Sequence, residues 1–290
     1  MEAGFRMDLV VTQPDRPKGR GMELAFSPVK DCAQRLGLPV TQPEKIKNND
    51  ECKEQLEALK PDAVIVVGYG RIVPQWMLDL PPMGNINLHA SLLPKYRGAA
   101  PIQWAIAKGE RVTGVTTMRI DAGLDTGDIL LQREMAVMEE DTAETISPRL
   151  AAVGAELMVE TLRGLSEGKI PPKAQDNARA TLAPILKKED GRIDFASSAR
   201  QIHDRMRGFQ PWPGAFTKFR GKILNVWADR VVEQKVAQAE LAVAGEQLFA
   251  GCGEHTALEL LEVQPEGKRR MSVRDFIHGY RLQSGERLGE

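Results

Sequence analysis

Three residues in the first half of the chain have the types and the spacing to do chemistry together: Asn87, His89 and Asp125. Asn87 and His89 belong to Ile86-Asn87-Leu88-His89, which reads as a short strand, and two positions apart on an extended chain their side chains share one face. When an amine attacks an acyl carbonyl, the oxygen becomes negative and the nitrogen positive. An amide can donate to that oxygen, and an imidazole can stabilise it or relay protons. A carboxylate brought over from a neighbouring loop orients the imidazole or holds a relay water. The set fits acyl transfer without a covalent nucleophile. On spacing alone, a core histidine that ends a strand, a turn asparagine and a loop aspartate fit the same pattern.

Such a set needs rigid strand ends to hold it. Met7 to Val11 and Ala63 to Val67 are short, nearly continuous apolar runs rich in Val and Ile, the pattern of strands buried on both faces of a parallel sheet. Between them, Ser27-Pro28 reads as an N-cap with proline at the first helical position, opening a helix over 27 to 36 that stops at Gly37. Leu38-Pro39-Val40 reads as a third strand, and residues 49 to 60 as a charged surface helix that ends before Pro61. Downstream come Ile86 to Leu88, a helix near 100 to 108, strands at Gly114 to Ile120 and Ile129 to Val137, and a helix from 142 to 167. This alternation predicts an α/β, Rossmann-like, mostly parallel open sheet with ligands at the carboxyl ends of its strands. Asn87 and His89 sit at such an end.

The pattern breaks after Glu167 into Gly168, Pro171-Pro172 and polar residues, so 1–168 reads as the catalytic domain and 169–190 as a linker. From 191 to 290 the grammar changes to one helix (197 to 208), short strands at Ala215 to Phe219, Ile223 to Ala228, Gln247 to Ala250 and Ala257 to Val263, and a last helix from Ser272 to Gly279. Short strands with turn signals predict a small OB-like β-barrel. Phe209 and Pro211-Trp212-Pro213 read as a packing corner. His203, His255 and His278 have no carboxylate or cysteine company in the sequence and are assigned no chemistry.

At 290 residues, with 42% hydrophobic and 27% charged residues, the chain has the composition of an ordinary two-domain globular protein. A formal net charge of −1 gives no global pull towards nucleic acid or membrane, so any RNA partner must meet a local patch. Cys32, Cys52 and Cys252 are far apart, with no histidine at ligand spacing, which suggests neither disulfides nor a metal site and fits a reducing cytoplasm. No stretch reads as a membrane span or a targeting segment, and no protein partner is implied.

The string Asn87-Leu-His-Ala-Ser-Leu-Leu-Pro-Lys-Tyr-Arg-Gly-Ala-Ala-Pro-Ile-Gln103, followed by Gly123-Leu-Asp-Thr-Gly-Asp128, closely resembles the signature of the folate-dependent formyltransferases. The resemblance runs from Thr12-Gln-Pro-Asp-Arg-Pro-Lys-Gly-Arg-Gly21 to Gly267-Lys-Arg-Arg-Met-Ser272. It implies that Asn87, His89 and Asp125 move a formyl group from 10-formyltetrahydrofolate to an amine, the α-amino group of methionyl initiator tRNA. It implies a folate site bordered by Ser91, Leu92, Leu93 and Pro94, with Gly70, Arg71, Ile72 and Val73 in the loop that receives the pterin and Leu124 beside Ile72 and Val73 in its apolar wall. It also implies that loop 13 to 26, which carries Arg16, Lys18 and Arg20 and reads as having no secondary structure of its own, wedges against the acceptor end of the tRNA. From Lys187 onward basic and acidic residues nearly balance, so tRNA contact by Lys218, Arg220, Lys222, Lys268, Arg269 and Arg270 rests on the family and on local clustering. No metal enters this chemistry.

Members of that family begin with a strand and a Gly-Thr-Pro loop leading into a helix. Met1-Glu2-Ala3-Gly4 looks like the last turn and glycine C-cap of that helix. The expectation is a sheet without its central strand, between Met7 to Val11 and Ala63 to Val67. Unpaired groups there cost on the order of 1 to 3 kcal/mol each. The start codon then lies upstream, or the chain is a truncated copy that binds tRNA or folate without turnover. A formyltransferase for a glycinamide ribonucleotide, an amino sugar or water is the other alternative, and the arginine-bearing loop and the second domain argue against it.

Overall fold

The sequence's two grammars reappear as two kinds of sheet in a computed structural model that describes residues 3–18 and 23–290. The chain divides into two compact units, one built from residues up to His89, 115–133 and 153–179, the other from 90–114, 134–152 and 180–290.

In the first unit, β1 (Val10–Val11) is followed by a small hairpin of β2 (Arg16–Lys18) and β3 (Glu23–Ala25), then α1 (Pro28–Arg35), β4 (Val40–Thr41), α2 (Asp50–Leu59), β5 (Val64–Val66), α3 (Gln75–Leu78) and β6 (Asn85–His89). Local chemistry sets the helix ends. Ser27 accepts from the Lys30 amide ahead of Pro28, and Asn49 accepts from the Cys52 amide at the head of α2. β1 runs parallel to β4, with Val10 opposite Val40, and β5 runs parallel to β6, with Val66 opposite Asn87. These are separate ladders among the described residues. Leu9, Val11 and Val64 nevertheless meet in one apolar cluster with Ile46, Cys52, Leu56 and Met77.

The chain then forms α4 (Pro101–Ala107), β7 (Val112–Arg119), β8 (Ile129–Ala136) and α5 (Ala143–Ser166). β7 lies antiparallel beside β6, with Asn87 opposite Met118 and His89 opposite Thr116, and the sheet order is β5-β6-β7-β8. Ile86 and Leu88 join Leu130, Met158 and Leu162 in an apolar cluster under the α5 segment of this unit. Asn87 and His89 therefore face away from that cluster, as the period of a strand requires.

One expectation changes here: loop 13 to 26 contains an antiparallel ladder in which Arg16 pairs with Ala25 and Lys18 with Glu23. In the segment read as a linker, Lys173 exchanges both backbone hydrogen bonds with Ile129 at 2.8 and 2.9 Å, and Ala183 is fully buried beside Tyr96 and Ala105.

In the second unit, α6 (Ala199–Gly208) starts from a capping box between Ser198 and Gln201. Then follow β9 (Ala215–Phe219), β10 (Lys222–Val232), β11 (Leu241–Ala244), β12 (Gln247–Gly251), β13 (Ala257–Pro265), β14 (Met271–Ser272) and α7 (Val273–Tyr280). They form an antiparallel sheet in the order β11-β12-β13-β10-β9, with β14 on β13. The expected barrel is not closed by a ladder between β9 and β11. The chain's last residues join those edges: Leu241 donates to Glu286 O at 2.7 Å, Leu288 to Ala239 O at 2.8 Å and Gly289 to Lys218 O at 2.8 Å. His203, expected to stand alone, has Asp229 Oδ2 3.0 Å from its Nδ1.

Charge also ties this unit together. Glu139 accepts from Arg200 and from Arg111, the latter at 2.7 Å, and these bonds pull its carboxyl from the usual range down to about 2. A depressed folded-state value contributes stability that is present above the unfolded carboxylate range and lost as pH falls through the folded value. We predict that unfolding midpoints of the wild type fall steeply between pH 4.5 and about 2, and that Glu139→Gln flattens that limb in a denaturant series across pH.

Candidate active site

β6 ends on His89, which is 5% exposed, with Asn87 half-buried two residues before it. Asp125 Oδ2 lies 3.7 Å from His89 Nδ1. That separation brings an anion beside the imidazole, at a length that one small shift or one water would convert into a hydrogen bond. The three predicted catalytic residues therefore fall within one structural unit, two of them on a strand and the third on the loop between β7 and β8.

The loop has to travel to reach that position. β7 ends beside the start of β6, where Ile120 donates to Asn85 O at 2.8 Å. Four residues of strand, about 13 Å, separate Asn85 from His89. Residues 121–125 must run back along β6 for Asp125 to meet the histidine, so they pass the face that carries Asn87. Asp121 organises the turn by accepting from the Gly123 amide at 3.0 Å and from Thr126 Oγ1 at 2.7 Å. The loop closes where Arg119 donates to Asp128 O at 2.9 Å. Asp125 itself has φ +51°, the left-handed region. Gln175 Nε2 donates to both Asp125 O (2.9 Å) and Gly127 O (2.7 Å).

The residues predicted to hold a folate are distributed as follows. Gly68 and Gly70 have φ +55° and +71°, conformations that suit residues without Cβ, and they leave loop backbone uncovered for a planar ligand with donors and acceptors on its edge. Ile72 is 89% exposed and Leu124 62% exposed, the apolar surface such a ring would need. Val73 instead belongs to the apolar cluster around Met77. Arg71 turns its guanidinium to Gln13, with Nε at 3.0 Å and Nη2 at 2.7 Å from Oε1, and to the Glu44 carbonyl. Ser91 to Pro94 come one residue after His89, past Ala90, and belong to the other unit, where Ser91 Oγ donates to Lys95 O at 2.6 Å and Leu93 is buried.

Of the residues predicted to meet RNA, Arg16 is exposed on β2, Lys18 lies in that strand, and Arg20 falls outside the described residues. The two basic turns of the second unit are neighbours, since Glu266 donates to Ile223 O at 2.9 Å. Arg220 is held bidentate by Glu286 at 2.7 and 2.9 Å, and Arg270 pairs with Glu262 and lies over Trp227. Lys218, Lys222, Lys268 and Arg269 are exposed and form no ion pair among the described residues. Among the described residues there is no group of three or more His, Cys, Asp or Glu able to hold a metal ion and no helix long and apolar enough to cross a membrane.

Two residues that hold the Asp125 loop escaped the sequence reading. Gln175 sits in a stretch broken by Pro171-Pro172, and no local signal marks it. Asp121, two residues before a glycine, carries an Asx-turn signature that could have flagged the loop's anchor.

Comparison with known proteins decides what this arrangement belongs to. Residues 3–162 match the formyl transferase family and residues 185–281 its C-terminal domain. A methionyl-tRNA formyltransferase from Koribacter versatilis is 66% identical over 289 residues, spanning 100% of this chain and 93% of the relative. This chain belongs to the methionyl-tRNA formyltransferase family. The corresponding enzyme of Acidobacterium capsulatum is 59% identical over 100% of this chain and 94% of its own length. An N-formyltransferase from Helicobacter canadensis, solved with folinic acid and dTDP-3-aminofucose, superposes with a TM-score of 0.65 at 16% identity, covering 90% of this chain and all of that one. At that identity it shows the shared fold.

The loop geometry of this formyltransferase gives a test. A Cβ on Gly127 would stand 1.8 Å from Arg119 O, on backbone that cannot yield. We predict that Gly127→Ala lowers stability by about 1 to 3 kcal/mol in thermal denaturation. It should also lower kcat by displacing Asp125, while Gly279→Ala, whose added Cβ meets nothing within 4 Å, leaves kcat closer to wild type.

Proposed function

We propose that this formyltransferase moves the formyl group of 10-formyltetrahydrofolate onto the α-amino nitrogen of methionyl initiator tRNA, in the cytoplasm. The observation that carries this reading is the buried His89 at the end of β6, with the Asp125 carboxylate 3.7 Å from its Nδ1, inside a chain of this family.

The amine attacks the formyl carbon, a C–N bond forms, and the bond from that carbon to folate N10 breaks. The amine nitrogen loses a proton and N10 gains one. Asn87 donates to the carbonyl oxygen as it becomes negative, where a fixed donor acts without reorganising. His89 stabilises the same oxygen or relays protons, and Asp125 orients the imidazole and takes up the proton. No metal ion takes part in these steps. Loop 68–73 and Leu124 of the first unit hold the folate.

Residues 1–168 carry catalysis in this reading, and 169–190 join them to 191–290. The neighbouring turns at 218–222 and 266–270 track tRNA phosphates, and the hairpin at 16–25 meets the acceptor end. Lys218, Lys222, Lys268 and Arg269 make the main phosphate contacts, because Arg220 and Arg270 are already engaged by Glu286 and Glu262.

The test uses labelled 10-formyltetrahydrofolate and charged initiator tRNA. His89→Ala and Asn87→Ala should each lower kcat by about 100-fold or more. Transfer at the wild-type rate by His89→Ala would sink the assignment. Lys222→Ala and Lys268→Ala should raise the KM for tRNA, leave kcat near wild type, and each flatten the dependence of log affinity on log salt by about one unit. Unchanged slopes would remove those turns from the interface.

A further inference from the structure

We propose that Gln175 is the positioning residue for Asp125. The inference rests on the reading above, in which Asp125 acts on His89.

The amide of Gln175 has one group able to donate twice, and both donations are used on the loop that carries Asp125. Both partners are carbonyl oxygens, so the NH2 group, not the amide oxygen, faces them. The first of those carbonyls belongs to Asp125, whose φ of +51° is a conformation that costs most L-residues about 1 to 2 kcal/mol. Two carbonyls two residues apart, turned towards one point, also repel each other as dipoles. The double donation from Gln175 offsets both effects and makes the left-handed turn the stable one.

Side-chain direction follows from backbone direction. With its carbonyl held, Asp125 sends its carboxylate to 3.7 Å from His89 Nδ1. If the residue relaxed to negative φ, the carboxylate would swing off that line.

Gln175 is itself well supported. Two residues before it, Lys173 exchanges both backbone hydrogen bonds with Ile129, the first residue of β8. Gln175 is half-buried, whereas every other residue from Pro171 to Arg179 is exposed. A glutamine turned inward from an otherwise solvated stretch points to a role at the place it reaches.

The experiment compares Gln175→Ala, Gln175→Asn and Gln175→Glu in steady-state formyl transfer, alone and combined with Asp125→Asn, with melting temperature measured in parallel. The expected result for Gln175→Ala is a 10- to 100-fold lower kcat, KM for folate and for tRNA within about 2-fold of wild type, and a nearly unchanged melting temperature. Gln175→Asn, which keeps the amide on a shorter stem, should fall between Ala and wild type. Gln175→Glu places a carboxylate against two carbonyls, so its activity relative to wild type should improve as pH falls and the acid becomes a donor. Added to Asp125→Asn, Gln175→Ala should cause no further loss.

A wild-type kcat in Gln175→Ala overturns the proposal. So does a loss of the same factor when it is added to Asp125→Asn, because that result separates the two residues. If Gln175→Ala does not fold, the Gln175→Asn and Gln175→Glu profiles decide in the same way. A fully active Asp125→Asn instead overturns the catalytic reading and this proposal with it.

Discussion

The register of β6 between β5 and β7 is the constraint on which everything at the site depends. It turns Ile86 and Leu88 into the cluster with Leu130 and Met158, and turns Asn87 and His89 to the opposite face. A slip of one residue would exchange the two faces completely. Two aliphatic side chains would lose burial worth about 1.5 to 3 kcal/mol each, and an amide and an imidazole would enter an apolar cluster at about 1 to 3 kcal/mol each. That sum is of the order of a domain's whole net stability of about 5 to 15 kcal/mol. The same alternation that makes a stable strand therefore presents Asn87 and His89 on one face, and no separate device is needed to aim them. The third member is different. Asp125 depends on a loop that must double back over the strand, and that loop is held by turn chemistry and by Gln175.

What could be read from the sequence follows that division between local and distant causes. The helix begun by Ser27-Pro28 and the strands at 86–88 and 215–219 were legible because capping, proline and period-two patterning act within a few residues. That Asn87 and His89 share a strand face was legible from their spacing, whereas the approach of Asp125 to His89 was suggested only by the flanking strings. The hairpin in loop 13 to 26, α3 and β11 were not legible, since each is too short to show a period. Gln175 read as linker because Pro171-Pro172 dominates its neighbourhood and its partners lie about fifty positions away. His203 read as solitary for the same reason, with Asp229 on another element.

Residue type misleads most where charge is concerned. Arg220 and Arg270 look like phosphate ligands, and each is engaged by a carboxylate of its own unit. The Arg220 pair has a clear structural purpose. Glu286 belongs to the tail segment that joins β9 to β11, so the bidentate contact clamps the piece of chain that links the sheet's two edges. Burial and pairing, not the count of basic residues, decide which cations are available to RNA.

The first unit faces a related problem, because its two parallel ladders share no backbone hydrogen bond among the described residues. They are joined in two ways. Below, Leu9 and Val11 of one meet Val64 of the other among Leu56 and Met77. At the carboxyl ends the link is polar: Gln13, just past β1, donates to Tyr69 O at 2.8 Å and accepts from Arg71, Arg71 also donates to the Glu44 carbonyl, and Gln42, just past β4, donates to Gln13 O at 2.8 Å and to Asp15 Oδ1 at 2.9 Å. Gln42 and Lys30 hold the Asp15 carboxyl below its usual range, which keeps it charged against Lys30. Hydrogen bonds to a charged group are shorter and stronger than neutral ones, which helps to hold these segments together. The loop of Gly68 and Gly70 and the base of the hairpin at Arg16 are therefore parts of one network. Arg71, Gln13 and Gln42 thus connect the loop after β5 to the chain that leads into the hairpin.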